Sequence, residues 1–541
     1  MTPSADKASS ARRYADLIHL ALAFAVIATV FFWLQFSTPG VCCGDFDGYY
    51  HIKWSALLWD GLRHGSFPPT FTWLPLTTLS PSRYADQHFL FHVLLIPFTW
   101  MGDLVTGAKI AAAFFGTLAL FSVYWLILRY RIAYPLLWLL ALLGCSWLFY
   151  ARLSMTKAES VSLVFIVVGI FLLLERKYVW LAPLAFLYVW AYNLFVLLGV
   201  LAAIWVAVVW WSERRLQWRP LLWTALGMLA GFLINPYFPR NLKLFIEHVI
   251  AKSSQVSMPT GGGFEWYSLS AWGFLKSSPV ACAATVVGFI ALGYALSSAR
   301  NDRTRLQRPL LLFLFSTFLL LITIRSVRFM EYWPPFAVLF AAFALQAANM
   351  KPAYGSGGSE NSALEVQGSE PKGRTGRWRT ADMVPLAMLL AAVAVYNLHV
   401  AQTTMKLVTP DPDHYAVGVE WLRNHAPAGT LIYNVNWADF PKLFFYDETH
   451  SYVSGLDPLY LQDAHPELAE LNLRLSRRKE ENPGTAIRSL LSANGVPGTA
   501  FLFVGDLPAP PSREWLDYMS QTGNFEIAYE DEQCMILRTR E

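Results

Sequence analysis

The sequence LIHLALAFAVIATVFFWLQF occupies residues 17–36 and contains no Asp, Glu, Lys or Arg. A helix of about 20 such residues, rising ~1.5 Å per residue, crosses the ~30 Å hydrocarbon core of a bilayer. Lys7, Arg12 and Arg13 precede this run, and no small-residue cleavage site follows it. These features predict a retained signal anchor, with residues 1–16 in the cytoplasm.

The composition agrees with a membrane protein. Of 541 residues, 55% are hydrophobic and only 15% are charged, whereas an ordinary soluble protein has about 25% charged residues. The net charge of +4 comes from 42 basic and 38 acidic residues. This balance is too even to indicate a nucleic-acid-binding surface, so we expect no nucleic-acid partner.

Further apolar segments follow along the chain. Together with the first they make about eleven candidate transmembrane helices, at residues 17–36, 106–128, 133–150, 160–174, 178–191, 193–211, 220–235, 271–297, 309–324, 329–349 and 382–401. With the N-terminus inside, every connection expected in the cytoplasm carries an excess of Lys and Arg, as the positive-inside rule requires. The fold class predicted is an α-helical polytopic membrane domain.

The same pattern divides the chain into regions. The transmembrane domain spans residues 17–349 and includes a long outer loop at 37–105. Residues 350–380, rich in Gly and Ser, are predicted to be a disordered cytoplasmic linker, and residues 381–401 the last transmembrane helix. Residues 402–541 fall outside and alternate helix-like stretches with four strand-like ones, at 430–436, 499–505, 526–529 and 534–538. This alternation predicts a small extracytoplasmic α/β domain, here called the tail.

The outer loop contains CCGDFDGYYHIK at residues 42–53, followed by the apolar and polar spacing of a helix lying in the membrane interface. Asp47 would stand near the N-terminus of that helix, where a lipid phosphate and a divalent metal could meet it. Spacing alone leaves two interpretations open. Asp45 and Asp47 form a binding motif, or Asp47 caps the helix and Asp45 lies in a turn.

The string DGYYH at residues 47–51, after one N-terminal membrane helix, resembles the first-loop motif of the C-type (GT-C) membrane glycosyltransferases. It is most similar to the catalytic subunits of oligosaccharyltransferases. The resemblance implies a GT-C-like fold and a sugar donor carried on a polyprenyl or dolichyl phosphate or diphosphate. It makes Asp47 the first choice for the catalytic carboxylate and Asp45 the second, and it places His51 among the substrate-binding residues.

The second outer turn reads YARLSMTKAES at residues 150–160. Oligosaccharyltransferases carry here an acidic pair that flanks one residue. In this chain Glu159 matches the second acidic position, while Lys157 stands where the first would be. Lys157 and Arg152 are therefore candidate ligands of the donor phosphate. The other interpretation is that both side chains snorkel to lipid headgroups.

The resemblance also implies a cofactor. A divalent cation, Mg²⁺ or Mn²⁺, would be held by Asp47, Asp45 and Glu159. Lys157 weakens that expectation, because an ammonium group at the place of an acidic ligand would reduce the dependence on metal.

The stretch RSVRFMEYWPP at residues 325–335 puts Arg325 and Arg328 at the outer ends of two apolar segments, where the positive-inside rule does not expect them. Arginine suits bidentate phosphate binding. GT-C enzymes often have an arginine-bearing segment before a late helix that holds the donor phosphate. Both arginines are therefore candidate donor ligands, and an i,i+3 pair between Arg328 and Glu331 is the structural alternative.

In the tail, NWADFP at residues 436–441 follows a predicted strand. Oligosaccharyltransferases carry an acceptor-recognition motif with two consecutive Trp residues in this place, and only one Trp is present here. Trp437 and Asp439 are candidate acceptor contacts, or they belong to a loop held by the core of the tail. The Gly-rich stretch at 258–267 is either a lid or a plain connection.

These features predict a glycosyltransferase of the membrane, with a bacterial inner membrane expected. It would transfer a sugar or oligosaccharide from the polyprenyl-linked donor to a protein, lipid or glycan acceptor on the outer face. The alternative from another class is a flippase or transporter of lipids or lipid-linked sugars. Such a protein should carry charges in mid-helix, whereas the charges here lie at segment ends.

The predicted topology can be tested with reporter fusions. Alkaline phosphatase fused after Glu541 should be active, because the enzyme matures only outside the cytoplasm. The same reporter inserted after Gly358, in the predicted linker, should be inactive while a green fluorescent protein there fluoresces. The reverse pattern would contradict the assigned orientation.

Overall fold

The computed structural model describes residues 3–44, 46–250, 267–298, 303–349, 380–493, 501–506, 513–521 and 525–539. The helices are α1 (Pro3–Phe36), α2 (Asp47–Arg63), α3 (Phe89–Leu95), α4 (Leu104–Arg129), α5 (Pro135–Leu143), α6 (Trp147–Leu153), α7 (Glu159–Leu174), α8 (Leu181–Ala191), α9 (Val196–Glu213), α10 (Arg219–Leu233), α11 (Arg240–Leu244), α12 (Ala271–Ser277), α13 (Pro279–Ser298), α14 (Gln307–Arg325), α15 (Trp333–Asn349), α16 (Thr380–Val408), α17 (Ala416–His425), α18 (Phe440–Tyr446), α19 (Pro458–Ala464), α20 (Pro466–Ser476), α21 (Pro483–Ala493) and α22 (Arg513–Gln521). The strands are β1 (Leu431–Asn434), β2 (Ser451–Tyr452), β3 (Phe501–Gly505), β4 (Phe525–Glu530) and β5 (Cys534–Thr539).

Each apolar segment predicted from the sequence contains helix, and the chain is an integral membrane protein. Six helices in the described residues are long and apolar enough to cross a membrane, and the pair α5 and α6, bent by 77°, would make a seventh. The predicted count of about eleven crossings is not confirmed. Helices α7, α8 and α10, with 16, 11 and 15 residues, are shorter than the ~20 residues that a straight crossing needs.

The helix predicted in the outer loop is α2. Its aromatic side chains pack against the tail, as Tyr50 lies 5.9 Å from Phe444 and Tyr49 lies 5.1 Å from Phe445, measured between ring centroids. Lys53 of α2 forms an ion pair with Glu448 of the tail. The outer-loop helix is thus clamped by the tail as well as by the membrane helices.

The tail contains the predicted α/β arrangement. Its sheet has the strand order β2-β1-β3-β5-β4, in which β1 pairs in parallel with β2 and β3, while β5 is antiparallel to β3 and β4. The four strands expected from alternation are present. Strand β2 was not predicted, because two residues are too few to show an alternating pattern. Helices α18, α19 and α20 were not predicted, because they are short and begin at Pro or Asp positions that are typical of turns. The predicted linker at 350–380 lies, up to residue 379, outside the described residues.

Helices α8 and α10 cross closely at a glycine. A Cβ atom added to Gly227 would overlap the backbone carbonyl of Ala182. Backbone atoms cannot rotate away as a side chain can, so a larger residue must push the two helices apart. Gly293 in α13 offers a contrast, because a Cβ there would meet no atom within 4 Å.

We expect Gly227→Ala to destabilise the bundle by about 1–3 kcal/mol through overpacking. Thermal unfolding of the purified protein in detergent should show a lower Tm. Gly293→Ala is the matched control and should leave the Tm unchanged or raise it, since Ala favours a helix over Gly. Equal Tm values for the two variants would contradict the close crossing.

Candidate active site

Asp47 is the first residue of α2 and is held against the second outer turn. A Cβ added to Gly48 would lie 2.6 Å from Cγ1 of Val41 and 3.2 Å from Cβ of Thr156, so α2 can approach the turn only because residue 48 is glycine. Phe46 is the N-cap of α2. Asp47 therefore does not occupy the capping position.

The close approach brings together two predicted site residues. Nζ of Lys157 lies 2.8 Å from Oδ2 of Asp47, and the Lys157 and Asp47 side chains are 11% and 26% exposed. The ion pair is thus only partly shielded, and its open side can meet a ligand. Lys157 and Glu159 diverge on either side of Ala158, so Glu159 enters a different set of contacts.

Glu159 belongs to a second group around Tyr192. The hydroxyl of Tyr192 donates to Oε1 of Glu159 at 3.1 Å, and Nη2 of Arg328 donates to the same hydroxyl at 3.0 Å. Tyr192 stands in the break between α8 and a short 3₁₀ turn at Asn193–Phe195, with an extended backbone that directs it inward. The break lies where the predicted apolar segments 178–191 and 193–211 are divided, and it brings Tyr192 into the site.

Arg152 and Arg325 lie apart from this group. Nε of Arg152 is 3.1 Å from Oε2 of Glu331, and the two side chains are only 3% and 1% exposed. Breaking such a buried pair typically costs about 3–5 kcal/mol, so the pair fastens α6 to the 3₁₀ turn Val327–Glu331 that carries Arg328. Arg325 ends α14 with an exposed side chain.

His51 lies one helical turn after Asp47 and heads a chain of buried polar groups. Its Nδ1 is 2.7 Å from Nε2 of His92, and Nδ1 of His92 is 2.7 Å from Oδ2 of Asp86. The His88 ring stacks on Tyr192 at 5.5 Å and meets His51 edge-on at 5.3 Å. Asp86, His88 and His92 were not predicted from the sequence. The sequence DQHFLFH at residues 86–92 nevertheless indicates the start of a helix with two histidines on one face.

The electrostatic surroundings connect these groups. Burial lowers the pKa of His51 well below its ordinary value, and the charges of His92, His88 and Lys157 lower it further. Burial also lowers the pKa of His88 to about 3. Both rings are therefore neutral at neutral pH.

The tail supplies one residue beside the site that sequence reasoning did not find. The Nε2 group of Gln87 donates to the hydroxyl of Tyr460 at 3.2 Å. Burial raises the pKa of Tyr460, and among the smaller effects the charge of Asp47 raises it and that of Arg328 lowers it. Helix α19 thus places a tyrosine close to both groups of the site.

Of the two predicted acceptor contacts in the tail, Asp439 is engaged in the core of the tail. Asp439 is fully buried, and Oδ1 accepts from the hydroxyl of Tyr415 at 3.3 Å. Burial raises the pKa of Asp439 well above its ordinary value. Trp437 is half-buried on the same 3₁₀ turn.

No protein-family model and no curated protein matches this sequence, but solved structures do. An oligosaccharyltransferase of Archaeoglobus fulgidus in the apo form is 11% identical, with a TM-score of 0.57, over 90% of this chain and 69% of its own. The oligosaccharyltransferase AglB of the same organism, in complex with an inhibitory peptide and a dolichol-phosphate, is 10% identical with a TM-score of 0.58, over 91% of this chain and 69% of its own.

ArnT from Cupriavidus metallidurans bound to undecaprenyl phosphate is 13% identical with a TM-score of 0.51, over 96% of this chain and 97% of its own. The chain has the GT-C fold. The resemblance read from residues 47–51 is confirmed at the level of the fold, which the chain shares with oligosaccharyltransferases and with ArnT.

Two of the three predicted ligands of the divalent cation, Asp47 and Glu159, belong to the described residues. Asp45, one of its three predicted ligands, lies outside them. An ammonium group lies against Asp47, Glu159 is bonded to Tyr192, and the described residues contain no group of three or more His, Cys, Asp or Glu placed to hold a metal ion. The described residues alone therefore do not supply three ligands for the cation. Two positively charged side chains, Lys157 and Arg328, lie next to the carboxylates of Asp47 and Glu159.

We expect Tyr192→Phe to lower the Tm by an amount equivalent to about 1–3 kcal/mol, because buried Glu159 loses its hydrogen-bond donor. Tyr124→Phe is a matched control, since the hydroxyl of Tyr124 is buried without a partner, and its removal should cost nothing. Thermal unfolding in detergent compares the two. A Tyr192→Phe variant as stable as Tyr124→Phe would show that the hydroxyl does not support Glu159.

Proposed function

We propose that this protein is a membrane glycosyltransferase that moves a sugar or oligosaccharide from a polyprenyl-phosphate or polyprenyl-diphosphate donor to an acceptor on the outer face. The observation that carries the proposal is the partly exposed Asp47–Lys157 ion pair beside the group of Arg328, Tyr192 and Glu159 in a GT-C fold. The structures of AglB with a dolichol-phosphate and of ArnT with undecaprenyl phosphate support the donor class.

Lys157 and Arg328 would bind the phosphate of the donor. When the glycosidic bond breaks, negative charge collects on the departing phosphate oxygen, and fixed positive groups there stabilise the transition state. Lys157 and Arg328 are the two cations that face the site from separate elements, the second outer turn and the 3₁₀ turn Val327–Glu331. Exposed Arg325 remains a candidate contact for the lipid or its headgroup, whereas buried Arg152 would act by holding the turn that carries Arg328.

Asp47 would orient the acceptor. Its carboxylate is held at a fixed place by Lys157 and can accept a hydrogen bond from the attacking group, which orients that group toward the sugar. The acceptor is a protein, lipid or glycan, and the tail, which would lie on the outer face, covers one side of the site through Tyr460. Trp437 and Asp439 stay predictions for a more distant part of the acceptor.

The proposed membrane location and topology are those predicted from the sequence. The catalytic domain would span residues 17–349 of a bacterial inner membrane, with the N-terminus in the cytoplasm and residues 402–541 in the periplasm. The carboxylate and both cations then lie on the side opposite to the cytoplasm.

A donor-cleavage assay tests the proposal. Purified full-length protein is incubated with undecaprenyl- and dolichyl-phosphate and -diphosphate sugars and a mixture of potential acceptors, and free lipid phosphate is measured by mass spectrometry. Asp47→Asn should slow its release by about 100-fold or more, the loss typical of a removed transition-state contact. Asp60→Asn is the matched control, because Asp60 is exposed at the far end of the same helix.

Two further arms refine the result. Glu159→Gln and wild-type protein with EDTA report on the metal, and we expect EDTA to leave the rate unchanged because Lys157 stands at Asp47. Undiminished release by Asp47→Asn would sink the mechanism. Lipid scrambling in vesicles without donor cleavage would instead favour the flippase.

A further inference from the structure

Asp86, His92 and His51 form a line of hydrogen bonds that the proposed roles leave unused. The line runs from Oδ2 of Asp86 to Nδ1 of His92 at 2.7 Å, and from Nε2 of His92 to Nδ1 of His51 at 2.7 Å. His92 is 0% and His51 5% exposed. Two histidines joined nitrogen to nitrogen in the protein interior must share one proton, so the order of protons along the line is fixed by its ends.

The inner end is an ionised carboxylate. Besides the bond from His92, Asp86 accepts from Nε1 of Trp54 at 3.0 Å and from the backbone N–H of His88 at 2.8 Å. Burial alone would raise the pKa of Asp86, but His92 and His88 hold it below its ordinary value. Asp86 is thus an acceptor only, and it requires a proton on Nδ1 of His92.

The remaining protons follow in sequence. With Nδ1 protonated, neutral His92 presents a lone pair at Nε2 and accepts from Nδ1–H of His51. His51 then has its own lone pair at Nε2. That nitrogen has no hydrogen-bond partner among the described residues, and it is not one of the fully buried polar atoms that lack a partner, so water or substrate can reach it.

Nε2 of His51 belongs to the site by position. His51 follows Asp47 by four residues in α2, so both side chains lie on one face of the helix. The charge of Lys157, the partner of Asp47, acts on His51 and on His88. The basic nitrogen and the carboxylate therefore face the same space.

We propose that His51 is the proton acceptor of the transfer reaction and that His92 and Asp86 are positioning residues that hold it as the Nδ1–H tautomer. This inference rests on the proposed function for its chemistry. The substrate class it names is an acceptor whose attacking atom carries a proton, such as a hydroxyl group. A phosphate acceptor attacks through an unprotonated oxygen and would need no such base.

The step balances as follows. A lone pair of the acceptor oxygen forms the bond to C1 of the sugar, the bond from C1 to the donor phosphate oxygen breaks, and its electron pair leaves with the lipid phosphate. The hydroxyl proton moves to Nε2 of His51. Because burial lowers the pKa of His51, the imidazolium gives up its proton readily, and the proton then passes to the released phosphate or to water.

The proton order can be measured without any substrate. Full-length protein labelled with ¹⁵N-histidine is placed in lipid nanodiscs, and His51 is assigned by comparison with His51→Asn. We expect a protonated, pyrrole-type Nδ1 and an unprotonated, pyridine-type Nε2 for His51 at neutral pH, and a loss of this preference in Asp86→Asn. A proton on Nε2 of His51 in the wild type would overturn the proposal, because that ring could not act as a base.

Kinetics then separates a base from a structural link. The amide nitrogen of His51→Asn replaces Nδ1 and can still donate to His92, but nothing replaces Nε2. With whichever donor the wild type cleaves, this variant should lose about 100-fold or more in kcat, keep KM and Tm, and lose the solvent deuterium isotope effect. His64→Asn, an exposed histidine directly after the same helix, should behave as wild type.

The outcomes are distinct. Wild-type turnover by His51→Asn would overturn the assignment of the base. A loss of rate that is matched by a loss of Tm would overturn it in favour of a structural link. If the wild type cleaves no donor, the proposed function fails, and the ¹⁵N spectrum still decides whether the line is ordered as inferred.

Discussion

Helix α2 is packed between the membrane helices and the tail, and the positions of Asp47 and His51 depend on this packing. On one side, Gly48 allows the helix to touch Val41 and Thr156. On the other side, Nζ of buried Lys442 in the tail lies 4.0 Å from the ring centroid of Tyr49. A helix held from both sides cannot rotate, so Asp47 and His51 keep their direction, and the hydrogen bond to His92 also fixes the ring of His51.

The tail is therefore part of the site and not an appended module. A Cβ at Gly40 would lie 2.6 Å from the carbonyl oxygen of Pro410, which shows how closely the chain entering the tail runs over the outer loop. The backbone N–H of Tyr452 donates to the carbonyl of Trp73 at 2.8 Å. Removing the tail would expose the aromatic face of α2, and the cost of that exposure links the stability of the tail to the geometry of the site.

The charged side chains of the site are paired with one another. Arg152 lies with Glu331, Lys157 with Asp47, and Arg328 reaches Glu159 through Tyr192. A charge near the apolar region is costly unless it is paired. The pairing allows arginines to lie at these helix ends, and Lys157 in place of an acidic residue changes what Asp47 can bind. The ammonium group of Lys157 lies against the carboxylate of Asp47, which was expected to bind a metal ion.

The sequence by itself determined the membrane helices, the outer-loop helix α2, four strands of the tail and the motif that contains Asp47. These features depend on local properties, namely apolar length, period and charge bias, which can be read along the chain. Only the tertiary structure decided that Glu159 joins Tyr192, that Arg152 pairs with Glu331, and that His92 and Asp86 stand behind His51. Those partners are separated by up to 179 residues, and which of them meet depends on how the helices cross, which no local pattern encodes.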